Sequence, residues 1–120
     1  MSVAETYRQN AITTQAPGQV VVMLYDGAVR FLKQALHAIE SRDYARKSHA
    51  LGRAQDVVFE LNASLNLEVG GEVAQNLRSL YAFIWSQMRQ INMRNDAVML
   101  RRIIVILEDL SGAWRQAAGK

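Results

Sequence analysis

The side chains able to do chemistry are few, and their spacing tests each reaction class in turn. The histidines are His37 and His49. A helical bundle that holds a carboxylate-bridged di-iron centre needs glutamates on facing helices and Glu-x-x-His pairs. Positions 34 and 46 are Gln34 and Arg46, so neither histidine has a glutamate three residues before it. Both read as surface or rim residues. Nucleophilic catalysis needs a serine or cysteine with a base beside it; the chain has no cysteine, and no serine is placed to use either histidine. The absence of cysteine also excludes disulfides and thiolate metal sites. Gly70-Gly71 precedes a helical pattern, and a helix N-terminus can hold an anion, but a lone glycine pair is better explained as a helix stop. No catalytic residue, metal or cofactor is expected.

Lys and Arg number 14 against 11 Asp and Glu, for a net charge of +3 and a pI near 9.6. The positive charges are scattered. The densest group is Arg42, Arg46 and Lys47, interrupted by Asp43. A nucleic-acid binder would carry a basic stripe on one face, so no nucleic-acid partner is expected. The apolar runs Val20–Tyr25 and Ile103–Leu107 fall far short of the roughly 20 residues of a membrane span, and the N-terminus carries Glu5 and no secretory-type apolar stretch. The expectation is a cytoplasmic protein with no membrane insertion. If it acts on exported material, it does so before export.

The elements that would position any site are helical. The 120 residues, half of them apolar with a single proline, suffice for one domain with a real core. Residues 1–16 read as a short N-terminal arm and 17–120 as a single bundle domain. Pro17 suits a first helical turn. A helix is expected over 17–40, with Val21, Leu24, Tyr25, Ala28, Phe31, Leu32, Ala35 and Ile39 at helical spacing. Ser41 or Asp43 can cap the next helix, over 44–65, with Leu51, Ala54, Val58, Leu61 and Leu65 on one face. A third helix follows the glycine pair over 72–94, and Asn95 or Asp96 caps a fourth, which carries Leu100, Ile104, Leu107 and Trp114. Long helices joined by short links lie antiparallel to their neighbours. The fold class is therefore all-α, an antiparallel up-down four-helix bundle.

Such a bundle needs one apolar stripe per helix, and this chain has more. Met99, Ile103, Ile106, Leu110 and Ala113 form a second row on the last helix, widened by Val98 and Val105. Val22, Val29 and Leu36 stand one heptad apart on the first; Val57 and Phe59 add to the second, and Phe83 and Trp85 to the third. One core cannot absorb them all. The surplus implies grooves for an amphipathic partner helix, a homodimer face, or a thick core covered by the arm. Gly27, inside a helical pattern at a cost of up to about 1 kcal/mol relative to alanine, suggests close helix packing or a groove floor.

Several stretches, taken in order, resemble one family. Tyr7-Arg8-Gln9-Asn10-Ala11-Ile12, Thr14-Gln15-Ala16-Pro17 and Leu24-Tyr25-Asp26-Gly27-Ala28 resemble the opening of the FliS-type flagellar export chaperones. Ala54-Gln55-Asp56, Glu60-Leu61 and Leu65 continue the match, followed by Gly70-Gly71-Glu72, Asn76-Leu77, Leu80-Tyr81, Asn92, Asp96 and Trp114. The family tends to show Thr-Ala-Ser-Pro where this chain has Thr14-Gln15-Ala16-Pro17. Ala16 offers no side-chain oxygen to cap the first helix, so Thr14 or the backbone must serve.

The resemblance implies an antiparallel four-helix bundle that binds the disordered C-terminal segment of flagellin, prevents its premature polymerisation, and assists delivery to a flagellar type III export-gate component. It implies that the arm covers an apolar pocket, with Tyr7 and Ile12 on this lid. The groove residues expected on this basis are Val22, Tyr25 and Val29 from the first helix and Leu61 and Leu65 from the second. Ile103, Ile106 and Leu110 form a further surface for a longer wrapped cargo. Ordinary core is the alternative for each, and a homodimer whose surplus apolar faces self-associate is the alternative function. The expected state is a monomer or weak dimer.

Overall fold

The structure is a computed structural model that describes residues 14–118. Four helices account for nearly all of them: α1 (Gly18–Glu40), α2 (Tyr44–Ala63), α3 (Gly71–Arg94) and α4 (Ala97–Ala118). Among the described residues the only extended pairing is an isolated antiparallel bridge between Thr14 and Leu65.

Local chemistry sets the boundaries. Pro17 is the N-cap of α1, with φ −58° and no side-chain capping bond; its carbonyl accepts from Val20 and Val21 at 2.9 and 3.1 Å. The oxygen that Ala16 lacks is supplied one step earlier. The Thr14 hydroxyl accepts from the Ala16 N–H at 3.2 Å and donates to the Ser64 carbonyl at 3.0 Å, which ties the approach to α1 onto the end of α2. That attachment also explains why α2 stops at Ala63 and not at Leu65: Gln15 donates to the Ser64 carbonyl at 2.8 Å, and Leu65 faces Thr14. Asp43 caps α2 through the Arg46 N–H at 3.2 Å. The Ser41 hydroxyl instead donates back to the His37 carbonyl. Asp96 caps α4 through the Met99 N–H at 3.0 Å. Asn95 closes α3 in the left-handed region at φ 52°, a conformation asparagine tolerates better than most residues.

The helices form an antiparallel bundle in chain order. α1 packs closely against α2 on one side and α4 on the other. The α2–α3 seam is looser, and α3 and α4 touch least. Tyr25, Leu32, Leu51, Leu61, Ile84, Met88, Ile91, Leu100, Ile103 and Leu107 fill the interior. Across it, the hydroxyls of Tyr25 on α1 and Tyr81 on α3 hydrogen-bond to each other.

α3 is held from Tyr81 onward. Tyr81, Ile84, Met88 and Ile91 are buried, whereas before Tyr81 only Ala74 is. The C-terminal end is also pinned by polar contacts. Lys47 of α2, only 4% exposed, donates from Nζ to the Asn92 carbonyl at 2.8 Å and to Asn95 Oδ1 at 2.5 Å. Its ammonium thus meets the carbonyl end of α3, where the helix dipole favours a cation. Ser48 adds a bond to Asn92 Oδ1 at 3.0 Å.

Two outcomes follow from this uneven attachment. Few buried contacts mean a low free energy of local opening, so the amides of Leu77 and Leu80 should exchange with solvent faster than those of Met88 and Ile91 when hydrogen exchange is followed by mass spectrometry. Lys47→Met should lower stability in urea by about 1.5–3 kcal/mol, because it strands the Asn92 carbonyl and the Asn95 side chain without their charged donor.

Candidate partner-binding grooves

The loose α2–α3 seam opens into a groove. Its apolar part, a volume of 240 Å³, is lined by Val58, Phe59, Asn62, Tyr81, Ala82 and Trp85. A more polar part of 440 Å³ continues along the same two helices past Gly52, Arg53 and Asp56, and shares Phe59 and Trp85 with the first. Phe59 is 65% exposed and Trp85 38%, exposures that leave large apolar areas in water. Phe59 stands one residue beyond the core stripe that ends Ala54, Val58, Leu61, and Trp85 one beyond Ile84, so the helical twist carries both to the groove edge. Arg89 lies 5.8 Å from the Trp85 ring centroid and Arg53 5.5 Å from that of Phe31. Arg53 thus belongs to the lining of the polar part while it stacks on Phe31 of α1, and Arg89 lies against the aromatic edge.

The expected site residues fall into distinct groups. Tyr7 and Ile12 lie outside the described residues. Val22, Ile106 and Leu110 are half-buried, packed against the core with an accessible edge. Tyr25, Leu61, Leu65 and Ile103 are core residues in this state. Val29 is 9% exposed and lines a different depression, between α1 and α4. Phe59 and Trp85 were legible in the sequence as surplus apolar residues but not as groove residues. The signal was their displacement from the core stripe; what was missing was knowledge of which seam stays open. At Gly27 the expectation of close helix packing is not met. An added Cβ would have as its nearest neighbour the Arg30 guanidinium at 3.8 Å, an ordinary contact.

Under the groove, Tyr81 and Tyr25 form a buried phenol pair with ring centroids 6.4 Å apart. Burial pushes the Tyr25 phenol up to about 12, partly offset by the Tyr81 hydroxyl and the nearby Trp114 indole. Burial and the neighbouring Tyr25 charge raise Tyr81 as well. Neutral phenols are thus favoured in the folded state. A second polar link ties α1 to α4: Asp26 accepts from the Ser111 hydroxyl at 2.7 Å and pairs with Arg115. Among the described residues no three metal-ligating side chains converge, and no helix is long and apolar enough to cross a membrane.

This geometry, a helical bundle with an open apolar seam, agrees with the comparisons. A family model described as flagellar protein FliS matches residues 1–120. The chain belongs to the FliS family. Relatives include FliS flagellar secretion chaperones from three bacteria. That of Bacillus subtilis is 35% identical over 111 residues, covering 92% of this chain and 82% of the relative. That of Vibrio cholerae is 34% identical over 116 residues, 93% and 85% of the two chains. That of Salmonella typhimurium is 34% identical over 118 residues, 98% and 87%. Membership in the FliS family makes the protein a flagellar secretion chaperone and not an enzyme.

The buried phenols give a pH test. Their folded pKa values lie above the unfolded value near 10, so their contribution to stability is fully present below about pH 10 and is lost as pH rises from there toward the folded values. In an alkaline titration followed by phenolate absorbance, Tyr25 and Tyr81 should ionise only as the bundle unfolds, and Tyr25→Phe should remove part of that alkaline loss of stability.

Proposed function

We propose that the protein binds the C-terminal segment of flagellin as an amphipathic helix, seated in the α2–α3 groove and continued along Ile106 and Leu110 of α4. It keeps this segment from polymerising in the cytoplasm and delivers it to the flagellar type III export gate. The observation that carries the reading is the apolar groove beneath Phe59 and Trp85, with Val58 and Tyr81 in its lining. A cargo that polymerises through apolar helix faces needs a substitute surface of the same chemistry before export. Burial at about 25 cal/mol per Å² drives the association, and ordering a disordered segment opposes it by about 2–5 kcal/mol. The net affinity is moderate, as release requires.

The arm of residues 1–16, with Tyr7 and Ile12, acts in this reading as a lid that cargo displaces. The attachment of Thr14 to Ser64 and Leu65 supports it, because it fixes Thr14 at the end of α2, the helix that carries Val58, Phe59 and Asn62 of the groove lining. The protein works as a monomer or weak dimer around the bundle of residues 17–120.

Calorimetric titration with a peptide of the last ~45 residues of flagellin, long enough for several helical turns along the bundle, tests the reading. Saturable binding with a negative heat-capacity change is expected. Phe59→Asp and Ile106→Asp should each weaken it at least about tenfold, the cost of truncating or charging a central contact. Trp114 is already buried, so a blue shift in tryptophan emission on binding should vanish in Trp85→Phe. Failure to bind by a chain that sediments as a tight dimer would assign the apolar surplus to self-association.

A further inference from the structure

A second depression lies between α1 and α4, and its chemistry is different. It has a volume of 810 Å³ and runs beside α1 from Asp26 to His37, a length of roughly 16 Å at the rise of an α-helix. Arg30, Lys33, Arg46 and Arg115 line it, with His37 at one end. The two acidic side chains in the lining are already engaged. Asp26 holds Ser111 and Arg115, and Glu108 holds Lys33 at 3.2 Å. The guanidinium groups of Arg30 and Arg46 have no carboxylate partner among the described residues. Gly112 also lines the cleft. It sits inside α4, where glycine weakens a helix relative to alanine. A Cβ added there would meet nothing within 4 Å, so no packing contact among the described residues requires the glycine. A missing side chain on a cleft wall lets a partner's backbone approach closely.

We propose that this cleft is a second docking site, taking an acidic segment of a partner protein: about three helical turns, or about five extended residues, at the rises of those structures. Arg30 and Arg46 meet its carboxylates, and Gly112 leaves room for its backbone. The site is separate from the apolar α2–α3 groove and does not rest on the identity of the cargo there. A polypeptide fits better than a nucleic acid. Val29 offers an apolar spot on the lining, which a peptide side chain can cover and a phosphate backbone cannot. The attraction acts on a solvent-exposed rim, so it favours rapid, salt-sensitive association.

The test uses the full chain and a fluorescent Glu/Ala peptide of about twelve residues, matched to three helical turns, with binding read by anisotropy at low and high salt. Arg30→Glu with Arg46→Glu is compared with Arg101→Glu with Arg102→Glu, two exposed α4 arginines outside the cleft. Both pairs change the net charge equally. Saturable low-salt binding is expected, weakened at least about tenfold by the cleft pair and within about twofold by the control pair, as for a located charge contact. Gly112→Leu should fill the cleft and weaken the peptide while raising the melting temperature. Binding of the flagellin peptide should be unchanged in it. Equal weakening by both charge pairs, unaltered binding to Gly112→Leu, tighter binding of a single-stranded oligonucleotide through the same arginines, or no saturable binding would each overturn the proposal.

Discussion

Burial of α1 on two sides is the constraint from which the other features follow. Its residues face α2 and α4 at once, and Tyr25, Leu32 and Ala35 have no exposed surface. Close packing of these three helices nearly completes an interior, since a bundle of this size has one core axis and each helix contributes one stripe to it. α3 closes what remains. It does so with four buried residues from Tyr81 onward and with polar anchors at its C-terminal end, where the ammonium of Lys47 meets the last carbonyls of the helix. Phe59 and Trp85, which do not enter this interior, stay at the α2–α3 seam.

That asymmetry separates two surfaces by chemistry. The α2–α3 seam is aromatic and apolar, and its lining includes a tyrosine whose hydroxyl is satisfied inside the core by a second tyrosine. The pair lets the groove lie over buried polar atoms without leaving an unsatisfied group there, a condition that buried hydroxyls must meet. The α1–α4 seam is closer and is bridged by Asp26, Ser111 and Arg115. Its outer face is polar, and the cations that the bridges do not use are displayed along it. An apolar groove selects a partner by area removed from water. A charged cleft selects by sign and register, and contributes more to rate and specificity than to affinity.

Much of the fold was legible in the residues. The apolar periodicity of α1, the caps Asp43 and Asp96, and the glycine pair before α3 placed three helices within a residue or two of their observed bounds, and the start of the fourth. Local hydrogen bonding decides such features, and it needs only near neighbours in the chain. The discrepancy at the end of α2 arose where a distant segment intervened, through Thr14 and Ser64, which no local pattern announces. The site was less legible. Tyr25, Leu61 and Ile103 have the same residue types whether they line a groove or fill a core, and which they do depends on how closely a neighbouring helix approaches.

The sequence by itself determined the class of molecule: all-helical, without a reacting constellation, carrying more apolar surface than one bundle core consumes, and matched to its family by ordered motifs. Those properties reside in residue types and spacings along the chain. The tertiary structure alone decided that the α2–α3 seam opens into a groove, that Phe59 and Trp85 border it, and that Arg30 and Arg46 share a cleft with Gly112. These depend on distances between helices, and such distances are set by the competition of all four apolar stripes for a single interior, which no one segment encodes.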